Sequence, residues 1–365
     1  MRKTLLLAVL LLVLSILMPL ECSAFDEQSQ QEEQRFLEQI PEQLTDYFLD
    51  EQGRLTIPKL ERMIGFCYEV LISSLKHTSV PLKRMLSLIL LSSLFSLFES
   101  ATQQENSKGV LRLCVLITGF LSVGQALTAL FSLTEEHLGQ LCGFLSGILP
   151  ILNGVQLSMG AINSASVSVI ALTMLLSLIG EFTVGVLLPL QQITFAFDIT
   201  SLLTANSGLS SFASSIKKLF LFLFGGASSF LLGCFALQNV VAAKADSAAL
   251  RAFRFTAGGL VPIVGSALSE SSRVLLSGLD LLRSTVGGVA ITVILLTLLP
   301  PLFTLLVTAF SFSCAASLSK AVENDLLSSI FLSATSVANS LMALVVLCDL
   351  SAIFAIAIFL SQIIQ

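Results

Sequence analysis

The chain has 365 residues, of which 55% are hydrophobic and 12% charged, and its mean hydropathy is +0.91. Soluble globular domains carry charge on about a quarter of their residues, so the composition excludes a soluble protein. It favours an all-α polytopic membrane protein with about seven spans of about 20 apolar residues. The formal net charge of −5, without a cluster of more than two basic residues, excludes nucleic acid as a partner.

The first 24 residues have the pattern of a cleavable signal peptide. Arg2 and Lys3 precede an apolar run, and Cys22 and Ala24 occupy the −3 and −1 positions of a cleavage site before Phe25. An uncleaved membrane anchor is the alternative. In both cases the residues that follow begin outside the cytoplasm.

Residues 25–81 predict a small exported acidic domain of two helices. In each helix, apolar residues recur every three or four positions. The first stripe comprises Phe36, Leu37, Ile40, Leu44 and Phe48, and the second comprises Leu60, Ile64, Cys67, Leu71 and Leu75. Gly53 and Pro58 separate the helices, Thr56 is the expected cap of the second, and "HTSVP" at 77–81 is expected to end it.

Residues 82–243 and 286–365 predict two groups of membrane helices. The expected spans are 82–98, 110–133, 140–159, 163–189, 216–242, 286–312 and 330–361. Seven crossings place a turn at 134–137 ("TEEH") outside and most basic residues of 244–283 inside, as membrane topology prefers. Segment 191–208 leaves an alternative open, because a crossing or a re-entrant path there would move everything downstream to the other side.

Residues 244–285 predict a Gly/Pro-broken apolar segment followed by an amphipathic helix. Leu268, Leu275, Leu279, Leu282 and Val286 share one helical face, and Glu270, Arg273, Ser277, Asp280 and Ser284 share the opposite face. A helix with such a polar side lies at the membrane interface, or lines a groove or a contact between subunits. A plain cytoplasmic connector helix is the alternative.

The sequence contains no pattern typical of an enzyme, a metal site or a cofactor site. The two histidines, His77 and His137, lie far apart in stretches that resemble turns, and the seven cysteines form no C-x-x-C pair. A phosphate-binding glycine loop is also missing. We therefore expect no catalytic residues, no metal ligands and no cofactor.

Acidic residues within apolar runs are the strongest functional signal. Glu181 and Asp349 lie in predicted spans, where an ionised carboxylate is costly unless it is paired or hydrated. They either line a polar pathway or form hydrogen bonds where helices meet, close to small residues such as Gly180 and Gly185. The candidate residues for a pathway or for assembly are Glu181, Asp349, Pro262, Gly265, Glu270, Arg273, Asp280 and Arg283.

The stretch "ALRAFRFTAGGLVPIVGSALSESSRVLLSGLDLLRSTVGG" at 249–288 resembles the stage III sporulation protein AE family of endospore-forming bacteria. Supporting patterns are "GILPIL" at 147–152, "VLLPL" at 186–190 and "LPPLFTLL" at 299–306. Leu260 stands where that family often has an aromatic residue. The resemblance covers nearly the whole chain, in order.

The resemblance implies a non-enzymatic subunit of a secretion-like channel complex that joins the mother cell to the forespore. It implies partners that include a companion ATPase and ring-forming membrane proteins. It also implies a multi-pass location in the mother-cell membrane, with the N-terminal domain facing the forespore. The family provides no catalytic residues to transfer.

Two alternatives are kept open. The first is a self-sufficient secondary transporter in which Glu181 or Asp349 couples ions to transport. The second is a structural scaffold whose spans dock partner proteins.

Overall fold

The computed structural model describes residues 37–49, 57–101, 105–158, 162–204, 207–242 and 285–361, and these ranges fold into helices without strands. The helices are α1 (Glu42–Phe48), α2 (Leu60–Ala101), α3 (Glu105–Ser158), α4 (Ile162–Phe182), a π-helical turn (Thr183–Leu187), α5 (Leu188–Thr204), α6 (Ser207–Ala242), α7 (Thr285–Ala321) and α8 (Asp325–Ser361). The all-α prediction is therefore confirmed. The predicted signal peptide at 1–24 lies outside the described residues.

Some long helices that are distant in sequence run parallel to each other. Hydroxyl contacts Ser74–Thr304 at 3.2 Å and Thr78–Thr308 at 3.5 Å place α2 parallel to α7. α3 lies parallel to α8, because both its Gly119 and its His137 meet α8 residues in the same chain direction. α7 and α8 occupy the interior, so that most of their surface is covered by other helices.

The turn between α7 and α8 is specified by local chemistry. Glu323 adopts a left-handed backbone conformation with φ of 59°. The side-chain oxygen of Asn324 then accepts a hydrogen bond from the backbone N–H of Leu327 at 3.0 Å, which caps the start of α8. The Asn324 amide also donates to the hydroxyl of Ser92, which ties this turn to α2.

Five helical segments among the described residues are long and apolar enough to cross a membrane: Ile117–Ile151, Leu172–Leu202, Gly208–Phe235, Gly287–Ala321 and Asp325–Ile358. The multi-span character of the prediction is supported by these segments. The predicted span 82–98 lies on α2 and is not one of the five.

The predicted turn at 134–137 is wrong. α3 is one helix of 54 residues, about 80 Å long, and it carries both of the expected spans 110–133 and 140–159. The residues "TEEH" contain no helix breaker, and the Thr134 hydroxyl bonds to the carbonyl of Leu130 at 2.8 Å within the helix. Glu135 and Glu136 point outward, whereas Thr134 and His137 are buried.

Segment 191–208 provides neither a separate crossing nor a re-entrant loop over its described part. α4, the π-helical turn and α5 form one helical run from Ile162 to Thr204, so the predicted end of a span at 189 is also wrong. The run then reverses into α6, where Phe197 and Phe212 pack edge to face with ring centroids 4.8 Å apart.

The "HTSVP" sequence does not end a helix, because α2 continues through Pro81 to Ala101. The predicted apolar stripe on this helix is also wrong, since Ile64 and Leu75 are exposed while Ser74 and Thr78 are buried. Hydroxyl groups can enter the interior here because they contact the hydroxyls of α7 and, for Thr78, the carbonyl of Ser74. Periodicity alone detects apolar side chains and misses such paired polar ones.

Candidate functional site

His137 is built into the inner face of α3. Buried side chains recur along this face at the spacing of helical turns, and they include Leu130, Thr134, His137, Leu141, Leu145 and Ile148. The imidazole is 3% exposed. Its position on an apolar stripe means that folding of α3 against its neighbours removes the ring from solvent.

Asp349 is built into α8 in the same way. Its side chain is 0% exposed, and buried residues lie one turn away on either side, including Val345, Ala352 and Ile353. α8 carries a membrane-length apolar segment, most of which is buried inside the structure. A carboxyl group in this setting requires a partner.

The partner of Asp349 is His137. The Nε2 atom of His137 lies 2.8 Å from Oδ2 of Asp349, which is hydrogen-bond distance, although the residues are 212 positions apart in the chain. The other carboxyl oxygen, Oδ1, is buried and has no hydrogen-bond partner among the described residues. The pair therefore joins α3 to α8 and leaves one acceptor open.

A third element completes the site. The Thr183 hydroxyl, in the π-helical turn, lies 3.6 Å from the sulfur of Cys348 on α8. Pro189 lies two residues after this turn. A proline lacks an N–H and clashes with the carbonyl four residues earlier in an α-helix. The widened π-helical turn accommodates the proline. We name His137, Thr183, Cys348 and Asp349 the buried polar cluster.

α3 and α4 approach closely beside this cluster. A Cβ added to Gly180 would lie 2.8 Å from the sulfur of Cys142, whereas one added to Gly185 would meet nothing within 4 Å. The prediction that small residues lie where helices meet therefore applies to Gly180. Among the described residues, nothing packs closely against Gly185.

Glu181 lies outside the buried polar cluster. Its side chain is exposed, and it shares an outer face of α4 and the π-helical turn with exposed Met174 and Leu178 and with Gly185. We name these four residues the Glu181 stripe. In the described part of the chain, no cation lies within salt-bridge distance of this carboxylate.

A second ionic contact joins α5 to α6. Lys217 Nζ lies 2.5 Å from Asp198 Oδ2, with side chains 36% and 14% exposed. This contact explains how a lysine is accommodated in the apolar segment Gly208–Phe235.

The structure thus places Asp349 in a buried site and Glu181 on an outer face. The other sequence candidates, Pro262, Gly265, Glu270, Arg273, Asp280 and Arg283, lie outside the described residues. Sequence reasoning missed His137 because "TEEH" was interpreted as a turn. The signal was available, since His137 follows Leu130 and precedes Leu141 at the spacing of one helical face.

The fold and the polar contacts inside it define a class, namely a helical protein with several apolar helices of membrane-spanning length. The family model described as Stage III sporulation protein AE matches residues 39–362, so the chain belongs to that family.

One curated relative is "Stage III sporulation protein AE" of Bacillus subtilis (strain 168). It is 22% identical over 254 residues, which cover 68% of this chain and 64% of the relative. The match therefore spans slightly less than two thirds of the relative's own length. No solved structure was found to match the chain.

Proposed function

We propose that the protein is a non-enzymatic membrane subunit of a multiprotein, secretion-like channel complex that is required for endospore formation. Membership of the stage III sporulation protein AE family supports the role in sporulation. The five candidate spans support a membrane location. That the protein is a subunit of an assembly is supported by a separate observation.

That observation is the Glu181 stripe. An acid in the middle of a membrane helix costs about 2.5–3.5 kcal/mol on insertion scales when lipid is its only neighbour. Glu181 lies within the candidate span Leu172–Leu202 and is exposed on the surface of the single chain. Contact with another protein or with a hydrated pathway would remove this cost, as a subunit interface does.

The partners in this proposal are a companion ATPase and ring-forming membrane proteins. The location is the mother-cell membrane, with the N-terminal domain on the side that faces the forespore. The resemblance of 249–288 and of the proline-containing stretches to the family supports both statements. The amphipathic helix that the sequence predicts within 244–285 is then a second candidate contact for partners.

The first experiment is genetic. Deletion of the gene in its own host should block spore formation at a late stage, and expression of the wild-type chain should restore it. Glu181→Gln should reduce spore yield while the membrane level of the protein stays normal. Glu61→Gln is the matched control, because Glu61 is also an exposed acid on a long helix but lies outside the five candidate spans. Normal sporulation after deletion would refute the proposal.

The second experiment locates the contact. Leu178→Cys places a thiol on the Glu181 stripe, whereas Leu176→Cys places one on the buried side of the same helix. In cells that make spores, a thiol-reactive crosslinker should join the first variant, and not the second, to other membrane proteins. Equal crosslinking of the two variants would remove the stripe as a subunit contact.

A self-sufficient secondary transporter is the second candidate, and the buried contact between His137 and Asp349 is the observation that favours it. Ionisable residues inside membrane helices occur in proton relays and ion-coupling sites. Purified protein in liposomes that accumulates a solute without any partner would support the transporter. Co-purification with an ATPase and ring proteins, without transport by the isolated chain, would support the subunit.

A further inference from the structure

We propose that His137 and Asp349 form a proton-binding site between α3 and α8, at which uptake of a proton from water loosens the contact between these two helices. The inference starts from geometry. Nε2 and Oδ2 lie 2.8 Å apart, the two side chains are 3% and 0% exposed, and the contact joins helices from opposite ends of the chain.

Proton counting explains why the contact responds to protonation. With three exchangeable positions on the two side chains, the electrically neutral pair holds two protons, one on Nδ1 and one between Nε2 and Oδ2. Binding of a third proton leaves an imidazolium beside a neutral carboxylic acid, with a net charge of +1. A net charge is costly in a buried apolar setting. The electrically neutral pair, with two protons, is therefore the state that holds the helices together.

The carboxyl group offers a place for the added proton. Oδ1 of Asp349 is buried and lacks a hydrogen-bond partner among the described residues. A proton delivered from water can bind at Oδ1, while Oδ2 becomes the carbonyl oxygen that still accepts from the imidazolium. A hydronium ion from the bulk gives up the proton, so that one of its O–H bonds breaks as the new O–H bond forms at Oδ1 and a water molecule is left.

The surroundings allow a structural response. Thr183 lies in a π-helical turn, a form that is rare and frequently occurs at functional sites, and its contact with Cys348 is a long one of 3.6 Å. The α4 side of the cluster is therefore a widened helical turn with a long polar contact to α8.

The charged and titratable groups whose side chains the structure describes on the elements packed against the pair are Asp325 and Cys348 on α8, Glu135, Glu136 and Cys142 on α3, Glu181 on α4, Asp198 on α5, Lys217, Lys218 and Cys234 on α6, and Cys314 and Lys320 on α7. Glu135, Glu136 and Glu181 are exposed, and Asp198 is paired with Lys217. Within the described residues, the close charged partner of each member of the pair is therefore the other member.

The first test measures protonation directly. The chain contains two histidines, and His77 is exposed. The His77→Gln variant of the full chain, labelled with ¹⁵N histidine in lipid nanodiscs, reports His137 alone. We expect the ring signals to change with pH, and Asp349→Asn to alter that response, because this variant removes the carboxyl partner of the ring. Ring signals that stay constant, or the same response in Asp349→Asn, would overturn the proposal.

The second test measures the helix contact. A Cβ on Gly119 of α3 would lie 2.9 Å from Leu327 of α8, so Gly119→Cys with Leu327→Cys brings two thiols together. The yield of the linked peptide, quantified by mass spectrometry, should fall several-fold more in the wild-type background than in a variant without the pair as the pH is lowered. In His137→Gln/Asp349→Asn, two amides replace the pair without a titrating group, so only the pH dependence of the thiol chemistry itself should remain.

The controls separate this site from general acid effects. Asp198→Asn removes the ionic contact of α5 with α6 and should leave the pH dependence of the crosslink intact. A wild-type yield that does not depend on pH, or equal pH dependence in the double amide variant, would contradict the inference. The proposal is independent of the role in sporulation, since both measurements use the isolated protein.

Discussion

Removal of either member of the pair formed by His137 and Asp349 should destabilise the protein far more than removal of both. Both side chains are almost completely buried and share one contact of 2.8 Å. Breaking a buried ion pair by removing one partner costs about 3–5 kcal/mol, because the remaining charge is uncompensated. His137→Leu leaves the carboxyl group without its partner, and this group must then be buried as a neutral acid.

The double variant His137→Leu/Asp349→Leu should cost less than either single variant. Replacement of a buried pair by apolar side chains is often neutral or stabilising by about 1–4 kcal/mol. The alternative is a simple hydrogen bond between membrane helices, which contributes about 0.6 kcal/mol on average. The two cases differ enough for a double-mutant cycle to separate them.

The measurement is the free energy of unfolding of the full chain in bicelles, for the wild type, the two single variants and the double variant. We expect an interaction energy of at least about 2 kcal/mol, well above the ~0.5 kcal/mol within which independent sites add. Single-variant effects that add within that error would refute the reasoning. They would show that the contact does not couple α3 to α8.

Three further predictions test other parts of the structure. Gly180→Ala should destabilise the protein by about 1–3 kcal/mol relative to Gly185→Ala in the same unfolding assay, because its Cβ meets a sulfur of α3 at 2.8 Å while Gly185 has open space. Reversal of Lys217 to Asp should lower the thermal stability by an amount that Asp198→Lys restores, and two equally damaging single changes without rescue would argue against the contact. Burial raises the pKa of the Cys67 thiol above its ordinary value, so the thiolate fraction at neutral pH falls. Maleimide should therefore label Cys67 more slowly in the folded protein than in the denatured protein below about pH 9, and equal rates would contradict this.

The helical class and the apolar segments were accessible from the sequence because they depend on composition and on local periodicity. The runs that contain Glu181, Lys217 and Asp349 all fall on membrane-length helices. The errors occurred at boundaries. "TEEH" and "HTSVP" resemble turns by composition, yet α3 and α2 pass through them, because packing along neighbouring long helices stabilises a continuous path.

Only one of the two residues in the buried contact could be predicted from the sequence. An acid inside an apolar run is visible in one sequence, so Asp349 was identified. The histidine that pairs with it was not, because nothing in the local sequence of α3 indicates which residue of α8 it will meet. The Ser74–Thr304 contact was missed for the same reason.

The sequence by itself determined that the chain is helical, that its helices suit a membrane and that acids lie inside apolar runs, because these properties follow from residue type and spacing. Its patterns also identified the sporulation family that the comparison then established. Only the tertiary structure decided that Asp349 meets His137 and that Glu181 faces outward. Such pairings depend on how helices distant in sequence are aligned, and that alignment is set by packing over many residues, none of which encodes it locally.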